Sequence, residues 1–149
     1  MPKYQTDVFT GRKSVPQPDD AFVKLVAIEV LFPAAALVAN DLIELCRLPP
    51  DVQVVDFEVI APQLDSNGAP TLAFSLGSEN AGGTDLGVVF EAGLIPGRGA
   101  NGSIVRATSA AALAADATAE RVIALKVTTA AATSATAGKK ALVVLHLKA

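Results

Sequence analysis

The sequence predicts an all-β protein: an antiparallel β-sandwich, jelly-roll-like, with an extended N-terminal arm. Three observations carry this. Short apolar runs recur with a two-residue period, the mark of strands with one face buried. Breaks rich in Gly, Pro and Asn separate them at short intervals. No strand–helix alternation of the βαβ kind appears. Seven or eight short strands suit a sandwich, and that count suits a jelly roll.

Residues 1–20 read as the arm. They hold Pro2, Pro16 and Pro18, several charges and few apolar side chains. Such a segment buries too little surface to fold alone. It is either a frayed terminus or an arm that orders on a neighbouring subunit. In the second case Tyr4, Val8 and Phe9 are its anchors, and Arg12 and Lys13 belong to the same partner-binding segment.

Residues 21–149 read as the sandwich domain. Phe22 to Leu31 is apolar with Lys24 and Glu29 interspersed, and Pro33 ends it. Asp41 to Leu48 is a second strand, stopped by Pro49-Pro50. Val52 to Ile60 is a third, with Val55, Phe57 and Val59 on one face and Asp56 and Glu58 on the other. Asp65-Ser66-Asn67-Gly68 predicts a hairpin turn, since Asn and Gly both tolerate positive φ. Thr71 to Leu76 then puts Leu72, Phe74 and Leu76 inside and Thr71, Ala73 and Ser75 outside. Thr84 to Ile95 is ambiguous: Leu86, Val89, Phe90 and Leu94 fit a short helix that Gly87 and Gly93 weaken. Ser103 to Ala107 is a short strand, and residues 109–119 are either a short helix or an extended loop. Arg121 to Thr129 is a strand with Ile123, Leu125 and Val127 on one face. Ala141 to Leu147 is apolar on both faces and therefore central.

Composition narrows the function. A chain of 149 residues, 51% hydrophobic and 18% charged, is one folded domain. Much of its apolar share is alanine, with six Phe, one Tyr and no Trp. At roughly 25 cal/mol per Å² of apolar burial, such a core leaves a thin margin, so self-association or a partner is expected to add stability. The net charge of −3 argues against a nucleic-acid partner, and the Arg12-Lys13 and Lys139-Lys140 pairs read as solvated surface. No apolar run is long enough to span a membrane. The first residues lack the apolar run of a signal peptide, and a single cysteine gives no disulfide framework. Both fit folding in a reducing bacterial cytoplasm.

No motif carries chemistry, so no catalytic, cofactor or metal residue is assigned. Gly97-Arg98-Gly99-Ala100-Asn101-Gly102 matches a dinucleotide-binding fingerprint in form, but the residues after it read as strand where that motif needs a helix N-terminus. Asp65-x-Asn67-Gly68 resembles the start of a calcium loop, yet the bidentate Glu is missing at its required spacing. His146 is the one histidine and Cys46 the one cysteine. The first reads as packed or surface-facing. The second reads as a buried, inert thiol, though a Cys–His pair between them stays open. Asp51, Asp56, Glu58 and Asp65 form a mild acidic cluster. A glycosidase would add aromatic platforms, so an acidic outer face is the plainer reading.

The stretch from Asn40-Asp41-Leu42-Ile43-Glu44-Leu45 through Leu48-Pro49, Val54-Val55-Asp56-Phe57 and Leu64-Asp65-Ser66-Asn67-Gly68-Ala69-Pro70-Thr71-Leu72 to Leu76-Gly77 resembles the small virion structural proteins of tailed bacteriophages. The segment from Val127 to Leu147 resembles their closing hairpin. The resemblance covers roughly the last 130 residues and leaves out the arm. It implies a head decoration or cement protein with a jelly-roll-like fold. Such a protein binds the capsid exterior as a small homo-oligomer, a dimer or trimer, with the major capsid protein as partner. It brings no cofactor and no catalytic residues. The alternatives are another virion role (head–tail joining, tail or fibre-associated module), a carbohydrate-binding sandwich and, last, an enzyme.

Overall fold

A computed structural model of the protein describes residues 2–13 and 23–149. Among these residues nine strands form in the order β1 (Lys3–Gln5), β2 (Val23–Leu31), β3 (Leu42–Leu48), β4 (Gln53–Ala61), β5 (Ala73–Glu79), β6 (Leu86–Leu94), β7 (Ser103–Arg106), β8 (Arg121–Thr129) and β9 (Lys140–Lys148). A four-residue helix, α1 (Ala111–Ala114), lies between β7 and β8. The strands make two sheets, β1-β3-β8-β5-β6 and β2-β9-β4-β7. From β2 onward every connection except β5 to β6 crosses between them, which gives the jelly-roll-like sandwich the sequence predicts. Among the described strands every pairing is antiparallel except β1 on β3.

The core is the pair of inner faces. Ile28, Val54, Phe57, Val143, Leu145 and Leu147 come from one sheet, and Leu45, Phe74, Leu76, Ile123 and Val127 from the other. Each large apolar side chain contributes on the order of 1.5–3 kcal/mol when fully buried. β9 is central in its sheet, as its apolarity on both faces predicts.

Three expectations need correction, and one open reading, the third below, is settled. First, Val54 and not Val55 starts the inner face of β4, because a bulge between Val54 and Asp56 shifts the phase by one residue. Second, Ser75 is buried, because β5 lies between β6 and β8 with its outer face covered as well. Third, Leu86–Leu94 is strand, not helix: pairing with β5 overrides a local pattern that suits either. Fourth, Asp65–Gly68 is no hairpin turn. It sits in the loop that carries the chain from β4 in one sheet to β5 in the other, and neither Asn67 nor Gly68 takes a positive φ.

Candidate assembly surface

The N-terminal segment lies against the sandwich. β1 pairs in parallel with β3, Lys3 beside Leu42 and Gln5 beside Glu44. Tyr4 and Val8, two of the expected anchors, pack half-buried against the core. Phe9, the third, lies under the Arg47 guanidinium at 5.5 Å. Thr6 is buried, donates its hydroxyl to the Leu45 carbonyl and accepts the Phe9 amide at 3.1 Å. That bond starts a turn closed by Thr10 N–H on Thr6 and Gly11 N–H on Val8. Arg12 lies 3.5 Å from Asp7, and both are exposed; Lys13 is exposed too. The chain's own body thus occupies the three anchors and leaves the two cations outward. Residues 14–20 of the expected arm lie outside the described residues.

A charged cluster fastens this segment. Lys3 Nζ donates to Glu44 Oε1 at 2.6 Å and lies 3.7 Å from Glu79 Oε2, while Gln5 Nε2 donates to the other Glu44 oxygen at 2.7 Å. Both carboxyl side chains are nearly buried, at 4% and 6% exposure. Burial by itself would raise the Glu44 pKa; the bonds from Lys3 and Gln5 outweigh it and hold the group below its ordinary value. Glu79 is pushed up, by burial first and then by the Glu44 charge. Lys3 is raised, chiefly by its bond to Glu44.

The loop after β5 roofs the same face. Asp85 takes the Lys126 ammonium at 2.7 Å, and Gly83 packs so close that a Cβ there would lie 2.9 Å from Lys3 Nζ. The other sheet has no such cover among the described residues. Its outward face carries Leu25 and Leu31 on β2, Leu142 on β9 and Ile104 on β7, exposed by 64%, 62%, 38% and 62%. Register sets Glu29, Leu142, Ile60 and Ile104 side by side across all four strands. Flanking charges are paired within the chain: Lys140 with Glu29 at 2.9 Å, Arg106 with Glu58 at 2.8 Å.

The residues tested for chemistry scatter. Cys46 is in the core, and burial pushes its thiol up to about 12. His146 belongs to the other sheet and lies on its outward face, 3.6 Å from Glu58, so the two do not form a pair. Asp56 and Glu58 lie on that outer face, Asp51 in the turn before β4, and Asp65 is fully buried. The acidic cluster is therefore not one surface. Among the described residues no three His, Cys, Asp or Glu side chains gather as a metal site requires.

Asp65 instead braces the fold. Its two oxygens accept the backbone N–H groups of Asn67, Thr71, Leu72, Ala132 and Thr133 at 2.8–3.2 Å. Burial opposes the charge, and these donors overcome it, holding the carboxyl far below the ordinary range. Arg98, from the glycine-rich loop, donates to the carbonyls of Leu72 and Thr71. That loop is tight for packing reasons: a Cβ at Gly102 would meet the Ala61 carbonyl at 2.1 Å, and its φ is +73°. Sequence reading missed both Asp65 and the Glu44–Glu79 pair. An Asp before Ser-Asn-Gly signals a turn, not a buried hub, and residues 44 and 79 carry no spacing that joins them.

No protein-family model matches the chain, and no curated protein matches it. Two solved structures are similar. A chain in the capsid of Ralstonia phage GP4 is 27% identical with a TM-score of 0.78, over 99% of this chain and 97% of that one. A chain in the cyanophage Pam1 capsid asymmetric unit is 19% identical with a TM-score of 0.58, over 93% of this chain and 96% of that one, a likeness of fold. Similarity along nearly the whole of both chains to a capsid component supports a structural role in a phage virion.

Proposed function

We propose that this protein decorates the outside of a phage shell and cements its capsomers, with the major capsid protein as partner. The observation that carries it is the end-to-end likeness to a chain of a phage capsid. The one-sided surface supports decoration over the second reading, a subunit of the shell itself. The chain's own loop and N-terminal segment cover much of one outer face, while the other leaves Leu25, Leu31, Leu142 and Ile104 in water. A molecule seated on a shell needs one such face; a subunit inside a shell is hemmed on every side. Small repeated contacts add through symmetry and need no deep pocket.

The test adds purified protein to expanded capsids that lack it and counts copies per particle. Decoration predicts saturable binding at many copies, on the outer surface of the density map. A dozen copies or fewer indicates a vertex or tail role. Closed shells formed by this protein alone indicate the shell-subunit reading.

A further inference from the structure

The four sheet edges are not alike. β1 has three residues and β7 four, too short to template another strand. β6 is broken by three register shifts against β5. Short strands and bulges are the usual guards of an edge. β2 has neither: it pairs with β9 over nine residues without a shift, and among the described residues it has no second strand neighbour. It contains no proline, and its outer side carries Val23, Leu25 and Leu31, each more than half exposed. Beside it a groove of about 460 Å³, lined in part by Tyr4, Val8, Ala27, Val30 and Ile43, opens between this edge and the N-terminal segment.

We infer that β2 is a self-association edge, pairing antiparallel with β2 of a second copy across a two-fold axis. Directly opposed residues in antiparallel strands share a face, so the axis must pass through a residue pair. Centred on Ile28, it sets Leu25 opposite Leu31 twice and Val26 opposite Val30 twice, inner face matched to inner face. It opposes Glu29 to Ala27. Centred one residue later, it would set the two Glu29 carboxylates against each other. The product is one sheet of eight strands with a doubled apolar outer stripe.

The overlap from Leu25 to Leu31 is about 23 Å long and about 10 Å deep, so the paired edge covers roughly 230 Å² on each copy. Stable interfaces start near about 600 Å² per partner. The shortfall makes this a weak association in solution unless side chains at the groove add to it. Copies held side by side on a lattice would pair more fully. This inference is independent of the virion reading, because it is read on purified protein.

Sedimentation equilibrium from about 1 to 500 μM is the test, with two variants at exposed Ala27. Ala27→Glu places a second carboxylate opposite Glu29 in both halves of the pair; Ala27→Lys places an ammonium there. Wild type is expected to go from monomer to twice the 15.2 kDa chain mass across this range. Ala27→Glu is expected to raise the dissociation constant at least tenfold, and Ala27→Lys to match or tighten wild type. Matching circular dichroism in both variants shows that folding is intact. A wild type that stays monomeric at 500 μM, a closed trimer, or equal weakening by both variants overturns the proposal.

Discussion

The two sheets share one core and differ on their outer faces. On the face of β1, β3, β8, β5 and β6, several outward positions are polar or small and yet buried, Glu44, Glu79, Ser75 and Ala124 among them. Large exposed apolar side chains of its described strands are confined to β6, at Val88 and Val89. The chain supplies their partners through Lys3, Gln5 and the loop bearing Asp85. On the face of β2, β9, β4 and β7, the outward positions include large apolar side chains left in water, with the neighbouring charges already paired. Alternation in a strand reports only that one side is buried. It does not report what covers the other side: here the chain itself covers much of one outer face, while the other keeps large apolar side chains in water.

The joint between the sheets should be the most sensitive point. Asp65→Ala strands five backbone donors in a site water does not reach. A cost of about 4 kcal/mol is expected, a fall in Tm on the order of 10 °C. The carboxyl's folded pKa lies below its unfolded value, so its stabilisation is complete at neutral pH and is lost as pH falls below about 4. Urea unfolding at pH 7 and pH 3 checks both. Wild type should lose stability between the two far more than Asp65→Asn does.

The closed face comes next, and its two carboxyls predict opposite signs. Lys3→Ala leaves Glu44 and Glu79 facing each other without a cation. Lys3 is partly exposed, so solvent screening limits the loss to about 1 kcal/mol. Faster hydrogen exchange at β1 and β3 should accompany it. Glu79→Gln should stabilise the protein or leave it unchanged at pH 8. The raised pKa of Glu79 means its ionisation is disfavoured in the fold, so it costs stability as pH rises from its unfolded value through its folded one. A glutamine removes that cost and keeps the side chain's shape. Destabilisation by Glu79→Gln at pH 8 would show that the second carboxylate helps to hold Lys3.

How much of this was legible follows the same division. The all-β sandwich was readable because inner-face alternation survives in single sequences: Phe57 and Val59 in β4, Ile123, Leu125 and Val127 in β8. Central placement of β9 was readable from its apolarity on both faces. The phase slip at Val54 was not, because a bulge leaves no trace in the pattern it breaks. Nor was the role of Asp65, whose donors at Ala132 and Thr133 lie far along the chain. Tyr4, Val8 and Phe9 are expected to anchor an arm on a neighbouring subunit, and in the structure they lie against the chain's own body. A sequence gives an anchor's chemistry and not the identity of its dock.

The open face should be the least sensitive to unfolding and the most sensitive to attachment. Ile104→Ser with Leu142→Ser replaces two outward side chains on the strands that flank β4, each paired in register with Ile60. Neither belongs to the core cluster, so Tm should move by no more than a degree or two, within the usual range of surface changes. Binding to capsids should fall at least tenfold, since burying two large apolar side chains contributes about 3 kcal/mol or more and a tenfold change needs only 1.4. The matched control is the same apolar-to-Ser change at half-buried Val122, on the sheet that the chain closes for itself. If Val122→Ser weakens attachment as much as the double change does, the faces are not divided between self and partner, and the contrast between the sheets fails.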